Sequence, residues 1–169
     1  MSDAAAAERP DGFRRVSDCL AQLGHAATPV WLELAARTSQ QAADALGVQL
    51  GQIAKSVVFR RRSDDAVVLV VTSGDRRVDE KKVAAQVGAL ARADAEFVKA
   101  RTGFSIGGVA PLAHLEPAVI LIDRELFRFA RIWAAAGHPN AVFAASPQEL
   151  MALTGAPVFD VTPGDVTPI

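Results

Sequence analysis

Two segments decide the fold of this chain: SVVFRR at residues 56–61 and AVVLVVT at residues 66–72. Both are rich in β-branched residues, and the turn between them carries Asp64 and Asp65. Because β-branched residues favour strands, two such runs joined by a short polar turn are typical of an antiparallel hairpin. The sequence therefore predicts a hairpin, and the remaining elements are placed around it.

Helices and further strands are predicted on both sides of the hairpin. Apolar residues recur at helical spacing over residues 13–23, and Gly24 follows as a stop signal. The other predicted helices are one that Thr38 or Ser39 caps and that runs through Leu46 to Gly47, residues 80–87 after an Asp79 cap, residues 93–101 before Gly103, and residues 147–153 after a Ser146 cap. The other predicted strands are residues 28–34, 119–123, 141–145 and 158–161. This order lacks regular βαβ alternation, so we expect an α/β (α+β) single domain whose mixed, mostly antiparallel or barrel-like sheet is flanked by helices.

Length and composition limit the possible classes of protein. The chain has 169 residues, of which 50% are hydrophobic and 22% are charged, so it is long enough for one packed domain. Residues 1–12 are predicted to form a flexible N-terminus, and residues 13–169 are predicted to form the single packed domain. The single cysteine excludes an intramolecular disulfide framework and a multi-cysteine zinc site. No apolar run reaches the length of a membrane span, which predicts a cytoplasmic protein with no membrane partner.

The net charge of −1 conceals a basic middle segment between acidic flanks. Clustered positive charge favours binding to a phosphate backbone through counterion release. The candidate tRNA-binding residues in this segment are Arg60, Arg61, Arg62, Arg76, Arg77, Lys81 and Lys82. Acidic residues are interleaved with them, so a solvated surface explains the same pattern equally well.

Few residues carry recognisable chemistry. The three histidines are scattered without metal-ligand spacing, and no GxSxG motif is present, so neither a metal site nor a serine triad is predicted. Lys55 is not preceded by the glycine of a phosphate-binding loop. What remains is Lys55 and the loop GFSIGGVAP at residues 103–111, in which Gly107 and Gly108 can expose amide donors and Pro111 stiffens the exit. Such donors suit a carbonyl oxygen or its oxyanion, whereas a glycine pair alone is more often a structural turn.

These residues resemble a known family. The runs IAKSVVF (53–59), VVLVVTSGDRRVDEKKVAAQVG (67–88), TGFSIGGVAPLAH (102–114), VILID (119–123) and SPQELMALTGAPVFDV (146–161) together resemble the YbaK/ProX aminoacyl-tRNA deacylases. The same family is similar to the editing insertion domain of bacterial prolyl-tRNA synthetases. The resemblance covers most of the chain from about residue 13 to residue 161, and it implies the editing-domain fold.

The resemblance also implies site residues. The family lysine corresponds to Lys55, with Ser56 keeping a hydroxyl beside it, and the family GxxxP loop corresponds to Gly107 through Pro111. Lys55, Gly107 and Gly108 are therefore the predicted catalytic groups, and Ser56, Gly103, Val109, Pro111 and His114 are predicted to bind substrate with them. For His114 two roles stay open, a general base and a lining residue. Many relatives continue the loop with Pro-x-Gly, whereas this chain has Ala113.

The function that the resemblance implies is hydrolysis of the ester between a tRNA and a wrong amino acid, without a cofactor. The tRNA for proline is the expected carrier, its cargo a small amino acid such as cysteine, alanine, serine, threonine or aminobutyrate. Prolyl-tRNA synthetase is a candidate partner, and the chain is expected to be a monomer or a weak homodimer. Two alternatives stay open: a non-catalytic tRNA- or synthetase-binding module, and a hydrolase of small free esters.

Overall fold

The computed structural model describes residues 9–164. Over these residues the helices are α1 (Asp11–Gln22), α2 (Ser39–Leu46), α3 (Glu80–Val87), α4 (Ala95–Thr102) and α5 (Pro147–Thr154). The strands are β1 (Val30–Trp31), β2 (Ile53–Arg61), β3 (Val67–Ser73), β4 (Leu90–Arg92), β5 (Ala118–Asp123), β6 (Ile132–Ala135), β7 (Ala141–Ala145) and β8 (Val158–Phe159). Short 3₁₀ helices cover Leu50–Gln52 and Arg124–Arg128.

The predicted hairpin is confirmed as the centre of the sheet. β2 and β3 pair antiparallel from Ala54 opposite Ser73 to Arg60 opposite Val67. Every residue of β3 is buried, which explains why its sequence is a continuous apolar run rather than an alternating one. The hairpin thus supplies the layer against which the other elements pack.

One mixed sheet is built outward from this hairpin. Its strands follow the order β1-β7-β6-β2-β3-β5-β8, and β4 pairs separately with β2. Pairing is parallel between β2 and β6, β3 and β5, and β5 and β8, and antiparallel elsewhere among the described strands. This arrangement confirms the predicted mixed α/β domain with helices around one sheet.

The caps predicted from sequence position the helices. Asp79 accepts hydrogen bonds from the N–H groups of Lys81 and Lys82 at the start of α3, and Ser146 forms a capping box with Glu149 at the start of α5. Each cap satisfies N–H groups that the first helical turn leaves without an acceptor. α1 buries Phe13, Val16 and Leu20 on one face, as its periodicity predicts.

Several predicted boundaries were wrong. The strand predicted at residues 28–34 is only Val30–Trp31, because Pro29 has no N–H to donate to a neighbouring strand and because the partner β7 begins at Ala141. The helix predicted from residue 93 begins at Ala95, because Asp94 is its N-cap and accepts the Phe97 N–H. The last strand ends at Phe159, two residues early.

Two of the strands and the start of α1 also differ from the prediction. β4 and β6 were not predicted, and β6 contains two alanines, which favour strands weakly. α1 begins at Asp11, two residues before the predicted start. The remainder of the predicted flexible N-terminus, residues 1–8, lies outside the described residues.

Candidate functional site

A cavity of about 340 Å³ opens where two strands of the sheet separate. β2 and β6 pair only through Ile53 with Trp133 and Ala54 with Ala134, and the cavity lies beyond the last pair. It is enclosed by the start of α2, by β2, β6 and β7, and by the loops at residues 103–111 and 136–140. Its lining residues are Ala36, Arg37, Thr38, Ser39, Ala42, Ile53, Ala54, Lys55, Ser56, Ile106, Gly107, Val109, Trp133, Ala134, Ala135, His138, Pro139, Ala141 and Val142.

Lys55, on β2, contributes a charged group to this cavity. Burial lowers the pKa of Lys55 below its usual value, while the carboxylates of Asp75 and Asp123 act in the opposite direction. Among the residues that the structure describes, no carboxylate lies within 4.0 Å of the Lys55 ammonium. The ammonium is therefore partly desolvated and available to an anionic or hydroxyl-bearing ligand.

Asp75 and Asp123 near Lys55 are already engaged with other groups. Asp75 forms an ion pair with Arg128 at 2.7 Å, and this hydrogen-bonded pair is the main reason that the pKa of Asp75 is lowered. Asp123 is fully buried and accepts hydrogen bonds from the Thr72 hydroxyl at 2.9 Å and the Ser73 N–H at 3.0 Å. Both carboxylates therefore act on Lys55 at a distance rather than by contact.

Ser56 lies beside Lys55 in sequence but leaves the opposite face of β2, because successive strand residues alternate. Both residues nevertheless line the cavity. The Ser56 hydroxyl is buried, and in the described part of the chain it has no hydrogen-bond partner. The indole N–H of Trp133, also at the cavity, is buried and unpartnered in the same sense. Two polar groups at this cavity thus have capacity for a ligand.

The glycine-rich loop forms one wall of the cavity, but its two adjacent glycines have different environments. Gly107 lines the cavity with φ +95°, a conformation that favours glycine, and its N–H meets no acceptor among the described residues. Gly108 is buried outside the cavity lining, and its N–H donates to Ser105 O at 3.0 Å. In this conformation the predicted pair of amide donors is thus reduced to Gly107.

The other predicted loop residues occupy different places. Val109 lines the cavity together with Gly107. Gly103 is the left-handed C-cap of α4 with φ +83°, and Pro111 lines a separate cavity of about 400 Å³. Gly103 and Pro111 therefore border the loop rather than the cavity that holds Lys55.

His114 also lines the second cavity. Its Nε2 lies 2.7 Å from Ala110 O, and burial lowers the pKa of His114. Its ring packs edge-on against Phe104 at 5.9 Å. The structure thus does not bring His114 together with Lys55.

His138 is the histidine that lines the cavity, and sequence reasoning did not select it. Its ring stacks on Trp31 with centroids 4.9 Å apart, and its Nδ1 accepts the Asn140 N–H at 3.1 Å. Burial lowers the pKa of His138, and the positive charge of Arg37 adds to the effect. The signal that could have found it is the GHPN turn directly before β7.

The residues at the tip of the central hairpin lie far from Lys55. Residues 60–62 follow Lys55 by five to seven positions on an extended strand, about 20 Å away at ~3.3 Å per residue. Arg60 pairs with Asp65 at 3.3 Å and Arg61 with Asp64 at 2.8 Å. Arg60 and Arg61 therefore have acidic partners at a site distant from the cavity, whereas Arg62 donates to Leu90 O at 2.8 Å.

The second basic group lies in and after the turn that follows β3. The last residue of β3, Ser73, pairs with Ala54, which precedes Lys55. Here Arg76 pairs with Asp75 and Lys82 with Asp160. In the described part of the chain, Arg77 and Lys81 have no carboxylate within 4.0 Å, and both are exposed.

Neither a metal-binding cluster nor a membrane-spanning helix is found among residues 9–164. No group of three or more His, Cys, Asp or Glu side chains is arranged to hold a metal ion there. No helix in that range has the length and hydropathy needed to cross a bilayer.

Comparison with known proteins places this cavity in a family context. Residues 33–153 match the family model described as "Aminoacyl-tRNA editing domain". The chain is 37% identical over 119 residues to "Uncharacterized protein YwhH" of Bacillus subtilis, covering 70% of this chain and 75% of that protein. It is 24% identical over 127 residues to the "Putative Cys-tRNA(Pro)/Cys-tRNA(Cys) deacylase EbsC" of Enterococcus faecalis, covering 74% of this chain and 77% of that protein.

A solved structure extends the similarity to the fold. It is described as "Crystal structure of a putative trans-editing enzyme for prolyl tRNA synthetase", and it superposes with a TM-score of 0.86 at 40% identity. The match covers 93% of this chain and all of the other chain.

Proposed function

The chain belongs to the aminoacyl-tRNA editing domain family, and from this premise we propose that it is a trans-editing deacylase for mischarged tRNA. Its substrate is the ester between a small, wrongly attached amino acid and the terminal ribose of a tRNA, with the tRNA for proline as the first candidate. One observation carries the proposal: Lys55 and Gly107 line the same cavity although 52 residues separate them in sequence. The ammonium of Lys55 is partly desolvated and has no carboxylate within 4.0 Å among the described residues, and the Gly107 N–H has no acceptor among them.

The proposed chemistry needs few protein groups, because an aminoacyl ester is already activated. Lys55 binds the phosphate or ribose of the terminal nucleotide, and the Gly107 N–H faces the carbonyl oxygen on which negative charge develops. The free vicinal hydroxyl of the ribose assists the attacking water. The water oxygen bonds to the carbonyl carbon, the carbon–oxygen bond to the ribose breaks, and the ribose oxygen receives the proton.

The other residues have supporting roles in this proposal. Val109 bounds the acyl pocket, and Ser56 offers its unpartnered hydroxyl to the substrate. Gly108 fixes the turn that presents Gly107, through its bond to Ser105 O. Gly103, Pro111 and His114 shape the ends of the loop from outside the cavity. His114 is assigned a structural role, because it lines a different cavity from Lys55.

Selection of the amino acid follows from the size of the cavity. A side chain that is one methylene too large or too small changes binding by only ~1–3 kcal/mol, so neighbouring small amino acids are expected to react together. Cysteine, alanine, serine, threonine and aminobutyrate are the proposed cargo. As the partner, we propose prolyl-tRNA synthetase, which would supply the mischarged tRNA. The similarity to a structure described as "a putative trans-editing enzyme for prolyl tRNA synthetase" supports this choice.

The proposal is tested by a deacylation time course. The tRNA for proline is charged separately with alanine, cysteine, serine, threonine, aminobutyrate and proline, and each is incubated with wild type, Lys55→Ala and Lys55→Arg. We expect rapid loss of one or two small amino acids, sparing of proline, and a reduction of about 10²-fold in Lys55→Ala. Arg92→Ala removes an exposed charge on β4 and is expected to match wild type.

Three outcomes would contradict the proposal. Binding of tRNA without hydrolysis of any ester would favour the non-catalytic binding module. Equal hydrolysis of free amino-acid esters without tRNA would favour the small-ester hydrolase. Wild-type turnover in both Lys55 variants would remove Lys55 from the mechanism.

A further inference from the structure

Arg15, on α1, reaches the glycine-rich loop through three backbone carbonyls. Its Nη2 donates to Thr102 O at 2.9 Å and also to Ala113 O, and its Nη1 donates to Gly103 O at 3.4 Å. Thr102 and Gly103 precede the loop tip, and Ala113 follows it. A single guanidinium therefore ties together the two ends of the loop that carries Gly107.

The surroundings of this guanidinium are shaped to fit it. Its central carbon lies 4.6 Å from the ring centroid of Phe104, which is buried. Thr102 and Gly103 end α4, where the helix dipole favours a positive charge. A Cβ on Gly103 would collide with the Arg15 nitrogens, so a larger residue there would displace the guanidinium, and the φ of +83° favours glycine as well.

The residue at the C-terminal end of the loop, Ala113, has a strained backbone and is bound by the guanidinium of Arg15. Ala113 has φ +63°, a left-handed conformation that is strained for a non-glycine residue. The chain is also closed at this point by the Leu115 N–H, which donates to Thr102 O at 3.2 Å. Because Arg15 binds Ala113 O, loss of its side chain would release the strained residue and with it the loop end.

The same helix also contacts the opposite wall of the cavity. The backbones of Gly12 and Gly137 are so close that a Cβ on either would collide with the other residue's backbone. Gly137 directly precedes His138, which lines the cavity. α1 is thus attached to both loops that enclose the cavity, although it precedes residue 33, where the family match begins.

We propose that Arg15 is a positioning residue for the editing reaction. It holds the two ends of the glycine-rich loop together, and it thereby fixes the position of the Gly107 N–H relative to Lys55. This inference rests on the proposed function. Arg15 does not line the cavity, so it acts through the loop and not on substrate. Its loss should lower the rate of the chemical step more than it weakens the binding of tRNA.

The test compares Arg15→Gln and Arg15→Lys with Arg14→Gln. Arg14 is the matched control, because it is the adjacent arginine of α1, and its contact is an exposed ion pair with Asp11 at 3.7 Å. For Arg15→Gln we expect kcat to fall about tenfold or more with KM within about twofold of wild type. Arg15→Lys should recover part of the loss, since an ammonium keeps the charge but lacks the planar fork that spans three carbonyls. Arg14→Gln should match wild type.

A second measurement is independent of activity. Amide hydrogen exchange should become faster over residues 104–113 in Arg15→Gln, while β2 and β3 keep wild-type protection. A folded Arg15→Gln with wild-type kcat and wild-type loop exchange would overturn the inference. If Arg15→Gln does not fold, a wild-type kcat in folded Arg15→Lys overturns it instead.

These experiments distinguish a failure of the proposed function from a failure of the inference about Arg15. No hydrolysis by the wild-type protein overturns the proposed function and the catalytic consequence of Arg15. The exchange measurement still decides whether Arg15 anchors the loop.

Discussion

Gly108 packs against the backbone of His138 so closely that a Cβ built on Gly108 would stand 2.8 Å from the His138 Cα. The contact joins the two loops of the cavity, and backbone atoms cannot rotate away as a flexible side chain does. We therefore predict that Gly108→Ala moves the loop and lowers kcat about tenfold or more, with a loss of stability of roughly 1–3 kcal/mol. Deacylation kinetics and urea unfolding measure the two effects.

Gly164→Ala is the control for the Gly108 substitution, because a Cβ at Gly164 meets no atom of residues 9–164 within 4 Å. It should change neither kcat nor the free energy of unfolding. Full activity in Gly108→Ala would show that the loop spacing does not set the rate.

We predict that Lys55 gives the proposed reaction an alkaline limit. Burial lowers the pKa of Lys55, and only its protonated form attracts a phosphate. KM for aminoacyl-tRNA should therefore rise with pH at a value below the ordinary lysine pKa of 10.5. Steady-state kinetics across pH, corrected for spontaneous ester hydrolysis, would show this rise. In Lys55→Arg the rise should be absent, and an unchanged pH profile in that variant would exclude Lys55 as its source.

Asp75 influences both Lys55 and stability. Its carboxylate raises the pKa of Lys55, so Asp75→Asn should move the alkaline rise of KM to lower pH. The ion pair with Arg128 lowers the pKa of Asp75 below 3.8. Its stabilisation is therefore present above pH ~4 and is lost as pH falls through the folded-state pKa.

Thermal unfolding across pH measures this second effect. We expect Asp75→Asn to lose up to about 1 kcal/mol at pH 7 and less near pH 2, since the pair is partly exposed. Asp65→Asn, which breaks the exposed pair with Arg60 at the distant hairpin tip, should leave the KM profile unchanged. A KM profile for Asp75→Asn identical to wild type would contradict the coupling to Lys55.

The sequence predicted the fold where the signal is local. A few neighbouring residues determine each of the clearest local signals, which are the apolar run of β3, the Asp79 and Ser146 caps and the left-handed Gly47. The bounds of the strand and the helices that carry these signals were predicted to within a few residues. β4 was missed because its three residues gain stability from pairing with β2, which is distant in sequence. β6 pairs with β7 and with two residues of β2, but its short sequence contains two alanines, which favour strands weakly, so no local pattern marks it.

The same distinction applies to the site. Lys55 and Gly107 could be selected because a motif marks each of them. His138 was not selected, because its local signal is only the GHPN turn and its place at the cavity depends on the tertiary contacts with Gly108 and Trp31. His114 was selected for its position after the loop, but Ala113 with its positive φ intervenes before it, and His114 lines the other cavity.

Arg77 should contribute to tRNA binding more than Arg60 does. Arg77 is exposed in the turn after β3, near the Lys55 end of β2, and has no acidic partner among residues 9–164, whereas Arg60 is paired with Asp65. Arg77→Ala should raise KM for aminoacyl-tRNA and reduce the salt slope of binding by about 1, and Arg60→Ala should do neither. Binding measured from low to moderate salt tests this, and equal slopes in the two variants would contradict it.

His138 should set the upper size of the amino acid that the cavity accepts. Its imidazole lines the cavity and is held by stacking on Trp31, so it cannot turn aside easily for a larger side chain. Replacing it by alanine removes ring volume from the wall while the backbone contact with Gly108 is kept. We predict that His138→Ala raises kcat/KM for larger amino acids relative to alanine by about tenfold, the range that one or two methylenes control. Competition between alanyl- and larger aminoacyl-tRNAs measures the ratio directly, and His114→Ala, at the other cavity, should leave it unchanged. If both histidine variants shift the ratio equally, selectivity comes from general loosening of the fold and not from the wall that His138 forms.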